Sequence, residues 1–382
     1  MNKKLIGTLL TIGLGLVVLG VGCQNAVPNN SSQTTTNKTP IKIGFIGPLS
    51  GDAAEYGQPI KNSVALAAEQ INASGGINGR PLQILYEDGA CNGQQAAAAA
   101  QKLVNIDAVK FIIGGVCSGE TLAMAPITNA AQVLSISPAS TNPSITNAGD
   151  YVFRNIPSDA DSGLKLAELA AKYPTVAIIS EETDYNQAIK QVFQKNYHGQ
   201  IVADENYAQD SRDFRTNLTK IEAANPTAII INAQTGSTGG LILKEIKQMR
   251  INVPILGNMA MVSSEALTIA KNEAEGVVAV DAPTLNENSP KAKSYLNDYV
   301  KQYGSKPSYE IYGGAAYDDV ELLAQAIRSV GMNSSAVRDY LYQLPNYDGV
   351  IGNYHFDHNG DLVGLEFQVK KIVNGQAVPV SF

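Results

Sequence analysis

Residues 112–126 read IIGGVCSGETLAMAP. An apolar, β-branched run passes through two glycines into a small polar loop, and an alanine- and methionine-containing segment follows. That order predicts a strand ending near Gly115 and a helix opening near Ser118 or Gly119. Cys117 sits at the junction. Four roles are open to it: a nucleophile, a metal ligand, one end of a staple, or the lip of a binding pocket.

The same strand–loop–helix unit recurs on both sides. Short β-branched runs lie at 41–47, 82–88, 109–115, 133–138, 175–180, 227–233, 253–258 and 276–283. Helix-period segments separate them. In IKNSVALAAEQINAS, Val64, Ala67, Ala68 and Ile71 share one face, and Gly75-Gly76 ends it. Repeated alternation predicts parallel sheets covered by helices on both faces. About ten strands are more than one open sheet holds comfortably, so two α/β lobes are expected. The switch between them is placed in FRNIPSDADSG, after Phe153.

The chain has 382 residues and a formal net charge of −7, which disfavours a nucleic-acid partner. MNKK followed by LIGTLLTIGLGLVVLGVG is a basic start and an apolar core, read as an export signal over residues 1–22. A single-pass anchor is the rival reading. The Gly22-Cys23 junction favours a lipoprotein signal with Cys23 lipidated, although Leu19 lies one position further from the cysteine than usual. Residues 23–40 are polar and unpatterned and are expected to form a tether.

Setting Cys23 aside leaves Cys91 and Cys117. In an oxidising compartment such a pair reads as a disulfide, worth about 3.5 kcal/mol in the chain-entropy view. No Cys-x-x-Cys occurs, and YHFDHNGD around His355 and His358 reads as a strand entering a turn, so no metal and no cofactor is expected.

Ligands of open parallel sheets bind outside the carboxyl ends of the strands. The helix opening at Ser118 offers unpaired N–H groups suited to a carboxylate or phosphate. Ser118 is read either as the cap of that helix or as a ligand contact. Ser137, Ser140 and Thr141 crowd the turn after the next strand. The nucleophile–base pairs and glycine-rich phosphate loops of enzymes are missing from these loops, so no enzyme is expected.

Six stretches carry a family resemblance: IGPLSGDAAEYGQ, INASGGINGRPLQILYEDGAC, IIGGVCS, SISPASTNP, AAYDDVELLAQAI and FDHNGDLVG. Together they resemble the periplasmic leucine/isoleucine/valine-binding proteins, type I solute-binding proteins of ABC importers. The resemblance implies two lobes joined by three crossovers, with residues 41–158 and 284–363 in the first lobe and 159–283 and 364–382 in the second. It also implies a Cys91–Cys117 disulfide and hinge closure on a small-molecule ligand, an amino acid, for delivery to a membrane permease.

Ser118, the backbone of Ala139, and Thr141 would hold the ligand's α-carboxylate, with Ser140 in the same turn. Tyr56 would lie beside its side chain, and Tyr185 would cover it from the second lobe. The family's ammonium-binding glutamate is replaced by Met259. Asp159 is the alternative acid, as in metabotropic glutamate receptor ectodomains; its structural reading is a helix cap. The NAQTGSTGG stretch departs where the family's binders often carry an aromatic residue, and Gln234 or Thr235 would make that side more polar. A ligand without an ammonium (a carboxylic acid, an amide or urea) and a sensory ligand-binding module are the competing expectations. Membrane contact is expected through the lipid anchor only.

Overall fold

The computed structural model describes residues 39–381. The expected export signal, the lipid site Cys23 and all but the last two residues of the tether lie outside the described residues. The first sheet contains β1 (Ile41–Gly47), β2 (Leu82–Asp88), β3 (Phe111–Gly114), β4 (Leu134–Ser137) and β5 (Val152–Arg154). It is entirely parallel, in the order β2-β1-β3-β4-β5. Its pleat sorts side chains between two cores. Phe111 and Ile113 face one core and Ile112 faces the other, while Phe45 and Ile46 of β1 divide in the same way. Helices 54–73 and 310–330 cover the first face, and helices 93–105 and 118–130 the second. Burial on both faces explains why these strands read as continuous apolar runs.

The second sheet begins with β6 (Thr175–Glu181), β7 (Gln200–Tyr207), β8 (Ala228–Asn232), β9 (Ile255–Gly257) and β10 (Val278–Asp281). A small antiparallel sheet of β11 (Tyr347–Asp348), β12 (Asn353–Phe356) and β13 (Leu362–Val363) follows in the chain. The chain then returns to the second sheet with β14 (Gln368–Val373) and β15 (Gln376–Pro379). The full order is β15-β14-β10-β9-β8-β6-β7. The second sheet is therefore mixed, since β14 and β15 pair antiparallel. The signal was Asn374-Gly375: both residues have positive φ, 52° and 73°, as a two-residue hairpin turn requires.

The chain passes between the sheets three times: after Arg154, after Asp281 and after Val363. β5, β7, β11, β13, β14 and β15 fell outside the periodicity reading, the two-residue β11 and β13 because they are too short to show a period. β5 has only three residues, and β7 is a half-exposed edge strand, QIVADENY, with little apolar run. β15 is likewise an edge strand and half-exposed.

Candidate functional site

Each candidate residue follows the carboxyl end of a strand. Tyr56 lies in the first turn of helix 54–73 after β1, and Ser118 opens helix 118–130 after β3. Ala139, Ser140 and Thr141 form the loop after β4. Asp159 opens helix 159–170, and Tyr185 lies in the first turn of helix 184–196 after β6. Gln234 follows β8, and Met259 follows β9.

Tyr56, Ser118, Ala139, Tyr185, Gln234 and Met259 line one small pocket of about 30 Å³. Val116, Cys117 and Tyr312 complete its wall. Tyr312 takes part without having been singled out. Its segment, IYGGAAYDDV, is a helix with a buried stripe of small residues, and nothing in that spacing separates Tyr312 from a core residue.

Ser140, Thr141 and Asp159 are not in that wall. The Ser140 hydroxyl donates to the carbonyls of Gly115 (2.9 Å) and Val116 (3.2 Å), and its N–H donates to Ser137 Oγ (3.0 Å). Ser140 therefore ties the loops after β3 and β4 together. Thr141 donates its hydroxyl to the Asp159 carboxylate, directly behind the loop. Burial pushes the Asp159 carboxyl up to about 7, against the lowering effects of the Thr141 hydrogen bond and the Arg154 charge. Its charge also reaches the hydroxyls of Tyr185 and Tyr312, both raised chiefly by burial.

Two expected caps are corrected. Cys117, not Ser118, caps helix 118–130, and Ser158, not Asp159, caps helix 159–170. At Cys117 the arrangement is a capping box, with Glu120 reaching back to the Cys117 N–H at 2.9 Å. The other Glu120 oxygen accepts from the Cys91 N–H at 3.0 Å. Ser118 is the first helical residue, and its Oγ accepts from the Asn142 N–H at 3.2 Å. Cys91 and Cys117 are disulfide-bonded. Glu120 was legible in principle, as an acid three residues after the cap in CSGE.

Arg154 was also missed. It is fully buried and donates to the carbonyls of Thr141 (3.1 Å) and Asn142 (2.9 Å). It also pairs with Asp361 at 2.7 Å. The FDHNGDLVG stretch thus supplies a counter-charge that holds the loop carrying Ala139 and Thr141. Its signal was a charged residue closing the otherwise apolar YVFR.

The two sheets' loops meet around the cavity. The Tyr56 hydroxyl donates to the Gln234 carbonyl at 2.8 Å, and Asn142 Nδ2 donates to the Asp184 carbonyl at 2.7 Å. Glu55 Oε1 accepts from the Gly236 N–H (2.8 Å) and from the Tyr309 hydroxyl (2.7 Å). Gly119 permits the close approach: a Cβ there would stand 2.6 Å from Asp184 Oδ2.

A helix opening, two polar loops and three tyrosines around a small pocket suit recognition of a small polar solute, with no paired nucleophile and base in the wall. The fold and this geometry define a solute-binding class. Residues 40–370 match the family described as periplasmic binding protein, and the chain belongs to that family. It is 31% identical over 341 residues to a leucine-, isoleucine-, valine-, threonine-, and alanine-binding protein of Pseudomonas aeruginosa, covering 86% of this chain and 89% of the relative. It is 28% identical over 340 residues to the Leu/Ile/Val-binding protein of Escherichia coli, covering 86% and 90%. Among solved structures it resembles the branched-chain amino acid transporter substrate binding protein of Streptococcus pneumoniae in complex with isoleucine. That match has a TM-score of 0.79 and 28% identity and covers 90% of this chain and all of that one.

Proposed function

We propose that the chain is the extracytoplasmic solute-binding component of an ABC importer and captures an α-amino acid, branched-chain or otherwise small. The observation that carries this reading is the cavity in which Tyr56, Ser118, at a helix opening, and Ala139 meet Tyr185 and Gln234 from across the cleft. Ser118 and the N–H groups at the start of its helix receive the carboxylate, together with the loop at Ala139 and Thr141. Asp159 supplies the charge for the ammonium in place of an acid at position 259. It stands one hydroxyl behind the loop, through Thr141.

Residues 41–158 with 284–363 act as one lobe and 159–283 with 364–382 as the other. They part to admit the ligand, because a space of about 30 Å³ is far below the roughly 300 Å³ at which small-molecule sites begin. Contacts such as Tyr56–Gln234 reform on closure. Cys23 anchors the exported chain by lipid, and the permease receives the ligand with no bond broken. The names of the relatives support the substrate class.

Met259 in the cavity wall supports a second reading, in which the ligand lacks an ammonium: a simple carboxylate, an amide or urea. Isothermal titration with alanine, threonine, valine, leucine and isoleucine beside benzoate, acetamide and urea separates the two. The proposal expects amino acids to bind and Asp159→Asn to weaken them at least tenfold while circular dichroism stays native. Binding confined to carboxylates or amides, or an unchanged Asp159→Asn affinity, overturns it.

A further inference from the structure

Behind the cavity wall lies a second cavity of about 250 Å³, which Met259 and Tyr312 also line. The two spaces share these side chains as a common wall, and the Tyr312 hydroxyl donates to Met259 Sδ at 2.6 Å. We propose that Met259 and Tyr312 form a movable partition, and that the second cavity receives the end of an unbranched, polar-tipped amino-acid side chain such as that of glutamine. This rests on the amino-acid reading and extends its substrate class beyond branched-chain and small side chains.

Which of the two side chains moves follows from their settings. Tyr312 belongs to the 21-residue helix 310–330, is buried, and lies among the rings of Tyr56 and Tyr309 at centroid distances of 6.5 and 6.2 Å. Met259 sits in a single four-residue 3₁₀ turn, Met259–Val262. A methionine side chain is unbranched with three rotatable bonds, so it changes rotamer with little rearrangement around it. The bond that holds it is a weak O–H···S contact, which gives way at small cost. The first cavity has room for water-sized occupants only. A side chain of several methylenes needs further space, and the Met259 side of the wall opens onto it. Displacing Met259 clears the space of one unbranched side chain, which favours a linear chain over a β-branched one.

The far side of the second cavity sets the chemistry of the tip. Asp281 and Lys370 form an ion pair there at 2.6 Å, and Glu287 and Glu310, both paired with Lys306, lie in the same lining. A neutral amide donates to the carboxylates and accepts from the ammonium group. A charged tip meets a like charge on one side of the pair.

The test is isothermal titration of alanine, isoleucine, norleucine and glutamine into the wild type, Met259→Ala and Tyr312→Phe, with thermal melts as the folding control. Met259→Ala joins the two spaces, and Tyr312→Phe removes only the hydroxyl that holds the sulfur. The expected result is that glutamine and norleucine gain at least fivefold in affinity relative to alanine in Met259→Ala. The same direction is expected in Tyr312→Phe, with isoleucine gaining less. Ratios within twofold of the wild type in both variants overturn the inference while leaving the amino-acid reading intact. If no amino acid binds the wild type, the amino-acid reading itself fails and takes the inference with it.

Discussion

Glu120 reaches back to the N–H of Cys117 at 2.9 Å while its other oxygen holds the N–H of Cys91 at 3.0 Å, so one buried carboxyl pins both ends of the disulfide. Ser118, which lines the cavity, follows directly in the chain. The position of Ser118 in the cavity wall therefore depends on a group that does not itself line the cavity.

Removing that carboxyl leaves two largely buried N–H groups without their acceptor, at about 1–3 kcal/mol each. Glu120→Ala is expected to lose about 2–4 kcal/mol, read as a lower urea midpoint. Burial raises the Glu120 carboxyl to about 7 from its ordinary 4.5, against the lowering effect of its backbone hydrogen bonds. A raised carboxyl binds its proton more tightly when folded. Its contribution is full below about pH 4.5 and is lost as pH rises through about 7. The wild-type urea midpoint should fall between pH 5 and pH 8, and Glu120→Gln should flatten part of that fall. A midpoint that rises over this range contradicts the assignment.

The Cys91–Cys117 bridge spans 26 positions. Constraining an unfolded loop of that length is worth about 3.5 kcal/mol. The double variant Cys91→Ser/Cys117→Ser should lose about that much in urea unfolding. Because the bridge also fixes the loop before Ser118, ligand affinity should fall in the same protein at temperatures where it remains folded. A loss of stability with unaltered affinity would make the bridge a staple alone.

How far the sequence disclosed this arrangement depends on what held each residue. Tyr56, Ser118, Ala139, Tyr185, Gln234 and Met259 were legible because strand ends converge in a parallel α/β sheet, and the family resemblance picked among them. Tyr312 and Arg154 were not. The first comes from a helix more than 250 residues after Tyr56, and the second acts through a partner, Asp361, supplied by a distant turn. Local periodicity carries no record of such pairings. Ser140 was read by its hydroxyl, yet that hydroxyl is taken up by the carbonyls of the neighbouring loop. The mixed second sheet was signalled only by Asn374-Gly375, since its edge strands have little apolar run to read.

Affinity for an amino acid should itself depend on pH. Burial raises Asp159 to about 7, and an ammonium nearby favours its ionised form. Binding should therefore strengthen between pH 6 and pH 8, while the ligand's amino group remains charged. Asp159→Asn should remove the slope as well as most of the affinity. Proton uptake measured by titration in buffers of different ionisation enthalpy checks the sign: ligand binding should release protons near pH 7.

Glu55 offers the strongest cross-cleft contact outside the cavity. One carboxylate oxygen takes the N–H of Gly236, at the start of helix 236–248, and the hydroxyl of Tyr309, whose ring stacks on Tyr56 at 4.1 Å. The Asp52–Arg212 ion pair joins the same two sides of the cleft but is exposed. Exposed pairs contribute about 0–1 kcal/mol, whereas hydrogen bonds to a charged group contribute about 1.5–3 kcal/mol. If ligand capture closes these contacts, losing a bond at Glu55 weakens binding directly, because it is made only in the closed form. Glu55→Ala should raise the ligand Kd by at least tenfold. Arg212→Ala should raise it by less than fivefold, and its effect should vanish in 0.5 M salt. Tyr309→Phe should fall between the two. Small-angle scattering should report a more open ligand-bound form for Glu55→Ala than for the wild type. An Arg212→Ala penalty equal to that of Glu55→Ala would move the decisive contact from the half-buried carboxylate to the rim.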